Sequence, residues 1–153
     1  MRIVLLTLLC TLVLTASGGT GARAGDNTDV EKERKKFQGT WTFESVEADG
    51  KKQPAAEFKG MTLTFEGDRF TVKKGDEVIM VGTQKLDPSR SPKTLDVMVT
   101  EGSNKGAVIL GIYEISGDTL KVCFDPEGKK RPTQFKSAAG SQTFVAVHKR
   151  VKK

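Results

Sequence analysis

The side chains able to perform acid–base or nucleophilic chemistry are few in this chain. It contains one histidine, His148, and two cysteines, Cys10 and Cys123. A single histidine with widely separated cysteines does not match the ligand spacing of a zinc site. General acid–base catalysis needs partners within hydrogen-bond reach, and neither His148 nor Cys123 has an evident one. Asp118 and Asp125 fit solvated turns better than a catalytic pair.

Sequence motifs for catalysis and for cofactor binding are also missing. The chain has no G-x-S-x-G nucleophile motif, no phosphate-binding P-loop and no dinucleotide-binding glycine pattern. We therefore expect a protein that is not an enzyme and that uses neither a cofactor nor a metal ion.

The first 24 residues have the pattern of a cleavable export signal. One charge, Arg2, precedes an apolar run from Ile3 to Leu14, and small residues follow as far as Ala22-Arg23-Ala24. The run is shorter than the roughly 20 apolar residues of a transmembrane helix. We therefore expect cleavage before Gly25 and export to the periplasm or the outside, with no stable membrane span afterwards.

Removal of this segment defines the mature protein. Cleavage after residue 24 leaves 129 of the 153 residues, enough for one domain over residues 25–153. Residues 1–24 hold two arginines and no acid, so the formal net charge falls from +6 to +4. Acids and bases are interspersed, which argues against a nucleic-acid partner. Cys123 remains alone, so no internal disulfide can form, and its strand-like neighbours predict burial.

The mature chain begins with a predicted short helix and continues with predicted strands. Thr28 or Asp29 can cap the helix, Phe37 pins its end to the core, and Gly39 ends it. Apolar residues then alternate with polar ones, which is typical of half-buried strands. Residues 78–81 and 108–115 are apolar at both parities, which predicts strands covered on both faces. The eight predicted strands are 41–45, 61–66, 70–73, 78–81, 95–100, 108–115, 120–124 and 144–149.

The connections between these strands indicate a closed or packed antiparallel architecture. Glycine and aspartate mark tight turns at near-regular spacing, as between Glu66 and Asp68 and between Ser116 and Asp118. Short strands joined in this way predict a barrel or a sandwich. The one long connection, residues 125–141, is rich in Gly, Pro and Lys, and we expect it to be a lid or a mobile loop.

The segment Phe37-Gln38-Gly39-Thr40-Trp41 resembles the opening of the lipocalin group. That resemblance implies an eight-stranded up-and-down barrel, closed at one end by Gly39 and Trp41. It also implies that a base near the last strand, Lys149 or Arg150, stacks on the tryptophan. We take Gly39, Trp41 and Arg150 as the barrel-closing residues.

A second resemblance covers nearly the whole mature chain. The motifs are similar to those of a family of uncharacterised exported proteins abundant in planctomycete bacteria. The resemblance implies a lipocalin-like fold and export, and it brings no activity with it. The matching motifs are Gln38-Gly39-Thr40-Trp41, Leu63-Thr64-Phe65-Glu66-Gly67-Asp68, Gly117-Asp118-Thr119-Leu120-Lys121-Val122-Cys123, Arg131-Pro132-Thr133-Gln134-Phe135 and His148-Lys149-Arg150.

These observations leave three functional hypotheses. An eight-stranded barrel is filled by side chains or holds one small ligand, so the first hypothesis is a non-enzymatic protein that binds a small apolar or amphipathic molecule. The second is a structural or inhibitory module with a solid core that contacts another envelope protein. The third, which we expect least, is an enzyme that uses Cys123, His148 or loop acids. The candidate ligand-binding residues of the barrel lining are Phe43, Leu63, Phe65, Phe70, Val97, Ile112, Tyr113 and Phe124.

Overall fold

The computed structural model describes residues 24–153, and its side chains from Asn27 onward. The predicted signal peptide lies outside the described residues except for Ala24, and its cleavage stays a prediction. The described elements are α1 Ala24–Phe37, β1 Gly39–Ala48, β2 Lys51–Lys52, α2 Ala55–Phe58, β3 Met61–Glu66, β4 Arg69–Lys74, β5 Glu77–Asp87, β6 Lys93–Gly102, β7 Val108–Ser116, β8 Thr119–Asp125 and β9 Phe144–Arg150.

The strands form a closed antiparallel barrel of lipocalin-like, up-and-down order. From β3 to β9, each strand pairs with the one before and after it in the chain, and β1 pairs with both β3 and β9. The β1–β9 pairing, with Trp41 opposite Arg150 and Ala48 opposite Phe144, closes the ring. The predicted eight-stranded barrel with a short N-terminal helix is confirmed. The two-residue β2 is a hairpin extension of β1, too short to show an alternating pattern.

Alternation along the strands separates an apolar interior from a polar exterior. On β6, for example, Leu95, Val97 and Val99 are buried while the intervening Met98 is exposed. The prediction that residues 78–81 and 108–115 are covered on both faces is wrong for Val78 and Val108, which are about half exposed. Nothing in the described residues packs over the outer wall at those two positions.

Helix α1 covers one end of the barrel, which we call the closed end. The ring of Phe37, at the end of α1, lies 5.2 Å from that of Phe65 and 5.1 Å from that of Tyr113, both in edge-on contact. The helix begins at Ala24, earlier than the predicted cap at Thr28 or Asp29. Polar residues able to cap a helix occur throughout residues 26–29, so capping chemistry alone could not fix its start.

The long connection between β8 and β9, residues 126–143, is here called the strap. Arg131 fastens it to the outer wall through bonds to the carbonyls of Leu95 and Gly111 and to the carboxylate of Asp96. Farther along, Ser137 accepts a bond from the amide of Gly50 in the β1–β2 turn. The expected lid is therefore replaced, at these anchors, by a segment that runs along the side of the barrel.

Candidate ligand cavity

The barrel encloses an apolar cavity of about 290 Å³ that opens opposite the closed end. Its inner part is lined by Phe37, Phe65, Leu95 and Leu120, near the end that α1 covers. Its mouth is lined by residues from the other ends of the strands and from their connections, namely Met61, Val72, Ile79, Met80, Asn104, Phe124, Pro126 and Phe144. The lining is therefore almost entirely aliphatic and aromatic, which is the usual character of a site for a small organic ligand.

Six of the eight predicted lining residues line this cavity. They lie on five different strands, because inward-facing parity selects them from each part of the wall. They are Phe43, Leu63, Phe65, Phe70, Val97 and Phe124.

The other two predicted lining residues lie elsewhere. Ile112 is on the outer face of β7, where it is buried with Cys123 and Val145 beneath Phe135 of the strap. Tyr113 faces inward but packs against Phe37 at the closed end, beyond the cavity. Consecutive strand residues point to opposite faces, so Ile112 and Tyr113 could not both have been lining residues.

Two glycines in the wall give the inward-facing aromatic rings their positions. Gly82 and Gly111 pair across the sheet with Phe70 and Phe124. A Cβ atom on Gly82 would lie 2.6 Å from the Phe70 ring, and one on Gly111 would lie 2.4 Å from the Phe124 ring. Both rings therefore lie flat over bare backbone, which leaves space in front of them.

Two polar side chains interrupt the apolar lining. Gln84 on β5 is 6% exposed, and His148 on β9 is 2% exposed. Neither Oε1 nor Nε2 of Gln84 has a hydrogen-bond partner, and Nδ1 of His148 has none. Burial lowers the pKa of His148 to about 4, so the imidazole is neutral at neutral pH. The sequence parity correctly suggested that His148 points inward, whereas Gln84 was missed.

The predicted barrel-closing residues meet at the closed end. Trp41 is fully buried and donates its indole hydrogen to the Phe37 carbonyl at 2.8 Å. The Arg150 guanidinium lies 4.1 Å from the centre of the Trp41 ring and donates to the carbonyls of Lys36 and Gln38. Gly39 has a φ of +108°, a conformation that other residues rarely adopt, and it turns the chain from α1 into β1.

A buried carboxylate that sequence reasoning missed also fastens α1 to the barrel. Glu33 accepts bonds from Tyr113 at 3.1 Å and from Lys93 at 3.0 Å, and from Lys36 of its own helix. Burial by itself would raise the pKa of Glu33, but these donors outweigh it and lower the pKa. The same burial, with the neighbouring Glu33 charge, strongly raises the pKa of Tyr113. This cluster is structural, because each of its polar groups is used in holding the helix.

The remaining candidate catalytic residues do not come together. Asp118 pairs with Arg150 at the closed end, whereas Asp125 accepts bonds from strap amides, including that of Lys130 at 2.7 Å, at the other end of β8. Cys123 is fully buried under the strap, as predicted, and burial raises the pKa of its thiol. A raised thiol pKa disfavours the nucleophilic thiolate.

The described residues show neither a metal cluster nor a membrane-spanning helix. In residues 27–153, no three side chains of the His, Cys, Asp and Glu types are grouped so that they could hold a metal ion. Among the described helices, none is long and apolar enough to cross a membrane.

Comparison of the chain with protein-family models, curated proteins and solved structures finds no match in any of the three. Membership of the planctomycete family therefore rests on the motif resemblance and stays a prediction.

Proposed function

We propose that this protein is an exported, non-enzymatic barrel that binds a small, largely apolar molecule in its interior. The observation that carries the proposal is the 290 Å³ apolar cavity with its mouth at the end opposite α1. Export is proposed from the pattern of residues 1–24 alone.

The size of the cavity favours ligand binding over a solid core. Protein interiors are close-packed and contain few voids larger than one water molecule. Apolar cavities of about 150 Å³ already bind benzene, and this cavity is about twice that volume. The alternative of an interaction module with a filled interior is therefore the weaker one.

The chemistry of the lining favours binding over catalysis. No carboxylate, lysine or arginine belongs to the described cavity lining, and its one titratable group is the neutral His148. General acid–base catalysis requires a positioned proton donor or acceptor near its working pKa, and an imidazole with a pKa of about 4 is a weak base.

The proposal is tested by uptake of a neutral apolar fluorophore, N-phenyl-1-naphthylamine, by the purified mature chain. We expect saturable binding that Ala146→Phe abolishes, because Ala146 lines the cavity and a phenyl ring there fills it. The matched control is Val147→Phe on the same strand, which faces outward and leaves binding unchanged.

Native mass spectrometry of protein purified from the cells that make it gives a second measurement. A small non-covalent mass that is lost on unfolding supports the proposal. A ligand-free mass together with no dye uptake would contradict it. If Ala146→Phe does not fold, competition of small apolar molecules with the dye on the unaltered protein decides the same point.

A further inference from the structure

Gln84 and His148 are the buried polar groups of the cavity wall that lack partners in the described structure. Burying a polar group without a hydrogen bond costs about 1–3 kcal/mol in proteins. Two such groups in one apolar cavity point to a ligand that supplies the missing hydrogen bonds.

The two side chains lie on opposite walls of the cavity. In the closed strand order, β5 and β9 are four strands apart in either direction, which is the greatest separation that an eight-stranded ring allows. A group placed between them on the barrel axis can therefore contact both.

Both residues also belong to the inner part of the barrel. The amide of Gln84 donates to the carbonyl of Asp68 in the β3–β4 turn at the closed end. His148 lies two residues before Arg150, which covers Trp41, and its ring is 4.4 Å from that of Phe43. The polar end of a ligand would therefore lie deep in the cavity and its apolar part would point toward the mouth.

The charges of the wall decide which head group fits. A buried ion needs a paired countercharge, and the described lining supplies neither a carboxylate nor a lysine or arginine. A carboxamide donates and accepts, and a neutral imidazole donates from one nitrogen and accepts at the other. An uncharged group that both donates and accepts satisfies this pair.

We propose that the ligand is an uncharged amphipathic molecule whose hydroxyl or amide head group binds between Gln84 and His148 and whose apolar chain fills the cavity toward its mouth. This inference rests on the proposed function. At roughly 30 Å³ per atom, the liquid volume of one water, the cavity of about 290 Å³ takes a ligand of about ten non-hydrogen atoms.

The test compares head groups on a constant chain by displacement of the bound N-phenyl-1-naphthylamine. The probes are 1-octanol, octanamide, octanoate, octylammonium and octane, all at neutral pH. We expect 1-octanol and octanamide to displace the dye at concentrations at least tenfold below those of the two ions. We also expect 1-octanol to bind more tightly than octane, although octane is the more apolar molecule.

Two variants assign this preference to the proposed residues. Gln84→Met and His148→Leu keep apolar bulk while removing hydrogen-bonding groups, so each should bind the dye and lose most of the preference for 1-octanol over octane. The matched control is Asn104→Leu, which removes a polar group at the exposed mouth and should keep the preference.

The outcomes separate this inference from the proposed function. If the unaltered protein takes up no dye, the proposed function fails and this inference fails with it. If the dye binds but the ions compete as well as 1-octanol, or octane binds as tightly, the head-group inference is wrong and the binding function stands. An unchanged preference in both variants overturns the assignment to Gln84 and His148. If a variant does not fold, the probe series on the unaltered protein decides.

Discussion

The buried imidazole of His148 makes the stability of the protein depend on pH in a range where carboxylates contribute little. Its pKa is about 4 in the folded protein because of burial, against 6.5 for an exposed histidine. Each pKa unit corresponds to about 1.4 kcal/mol, so the whole shift is about 3 kcal/mol. This value is large compared with the roughly 5–15 kcal/mol by which domains are stable.

The sign follows from proton binding. Between pH 6.5 and about 4, the unfolded chain binds a proton at His148 that the folded protein does not. The contribution of His148 is therefore complete above pH 6.5 and is lost as the pH falls toward 4. Between pH 7 and pH 4.5, we expect a loss of about 2 kcal/mol from this residue.

The assay is urea unfolding of the mature chain across this pH range, with His148→Gln as the test variant. The variant retains every acid, so subtracting its pH profile isolates the histidine. The difference between the two free energies of unfolding should change by about 2 kcal/mol from pH 7 to pH 4.5.

Lys149→Gln, on the exposed neighbouring residue, is the matched control and should keep the profile of the unaltered protein. Identical pH profiles for the unaltered protein and His148→Gln would refute the reasoning, because His148 would then titrate alike in the folded and unfolded chains.

Three further predictions concern stability and reactivity. Gln84→Leu should raise the free energy of unfolding of the ligand-free protein by about 1–3 kcal/mol, because it removes buried unpaired polar atoms. The same change at the exposed Gln134 should stay within about 0.5 kcal/mol, and destabilisation by Gln84→Leu would show that this amide is paired. Arg150→Lys should cost about 1–3 kcal/mol in urea unfolding, because an ammonium cannot reproduce two carbonyl bonds and the stacking on tryptophan; an unchanged midpoint would argue against this contact. Arg131→Lys should loosen the strap and raise the rate of iodoacetamide modification of Cys123 at least tenfold, measured by mass spectrometry, and an unchanged rate would mean that the strap does not control access.

The barrel was predictable because its signals are local. Alternation such as Leu95, Val97 and Val99, with glycine turns between the runs, places each strand without knowledge of its neighbours. The closing contact of Trp41 with Arg150 followed from the resemblance to lipocalins, because its two residues fall in recognisable positions near the first and last strands.

The cavity and its polar residues were less predictable because they depend on distant packing. Both Ile112 and Tyr113 are apolar, and only the Phe135 contact, made by a distant segment, explains why the outward-facing one is buried. Gln84 follows the inward parity of Gly82 and Leu86, which is the one signal that could have identified it. Whether an eight-stranded barrel is hollow depends on side-chain volumes, such as the glycines beneath Phe70 and Phe124, that no short pattern encodes.

The pairing of β1 with β9 has a consequence for how the protein is made. Trp41 and Arg150 are partners across the seam, so the wall of the cavity is incomplete until residues 144–150 have been synthesised. Until then, β1 and β8 each present an unpaired edge, and contacts so distant in sequence form slowly. A ribosome-bound chain that ends before β9 thus has no enclosed ligand site, and a prematurely terminated one exposes two strand edges to aggregation.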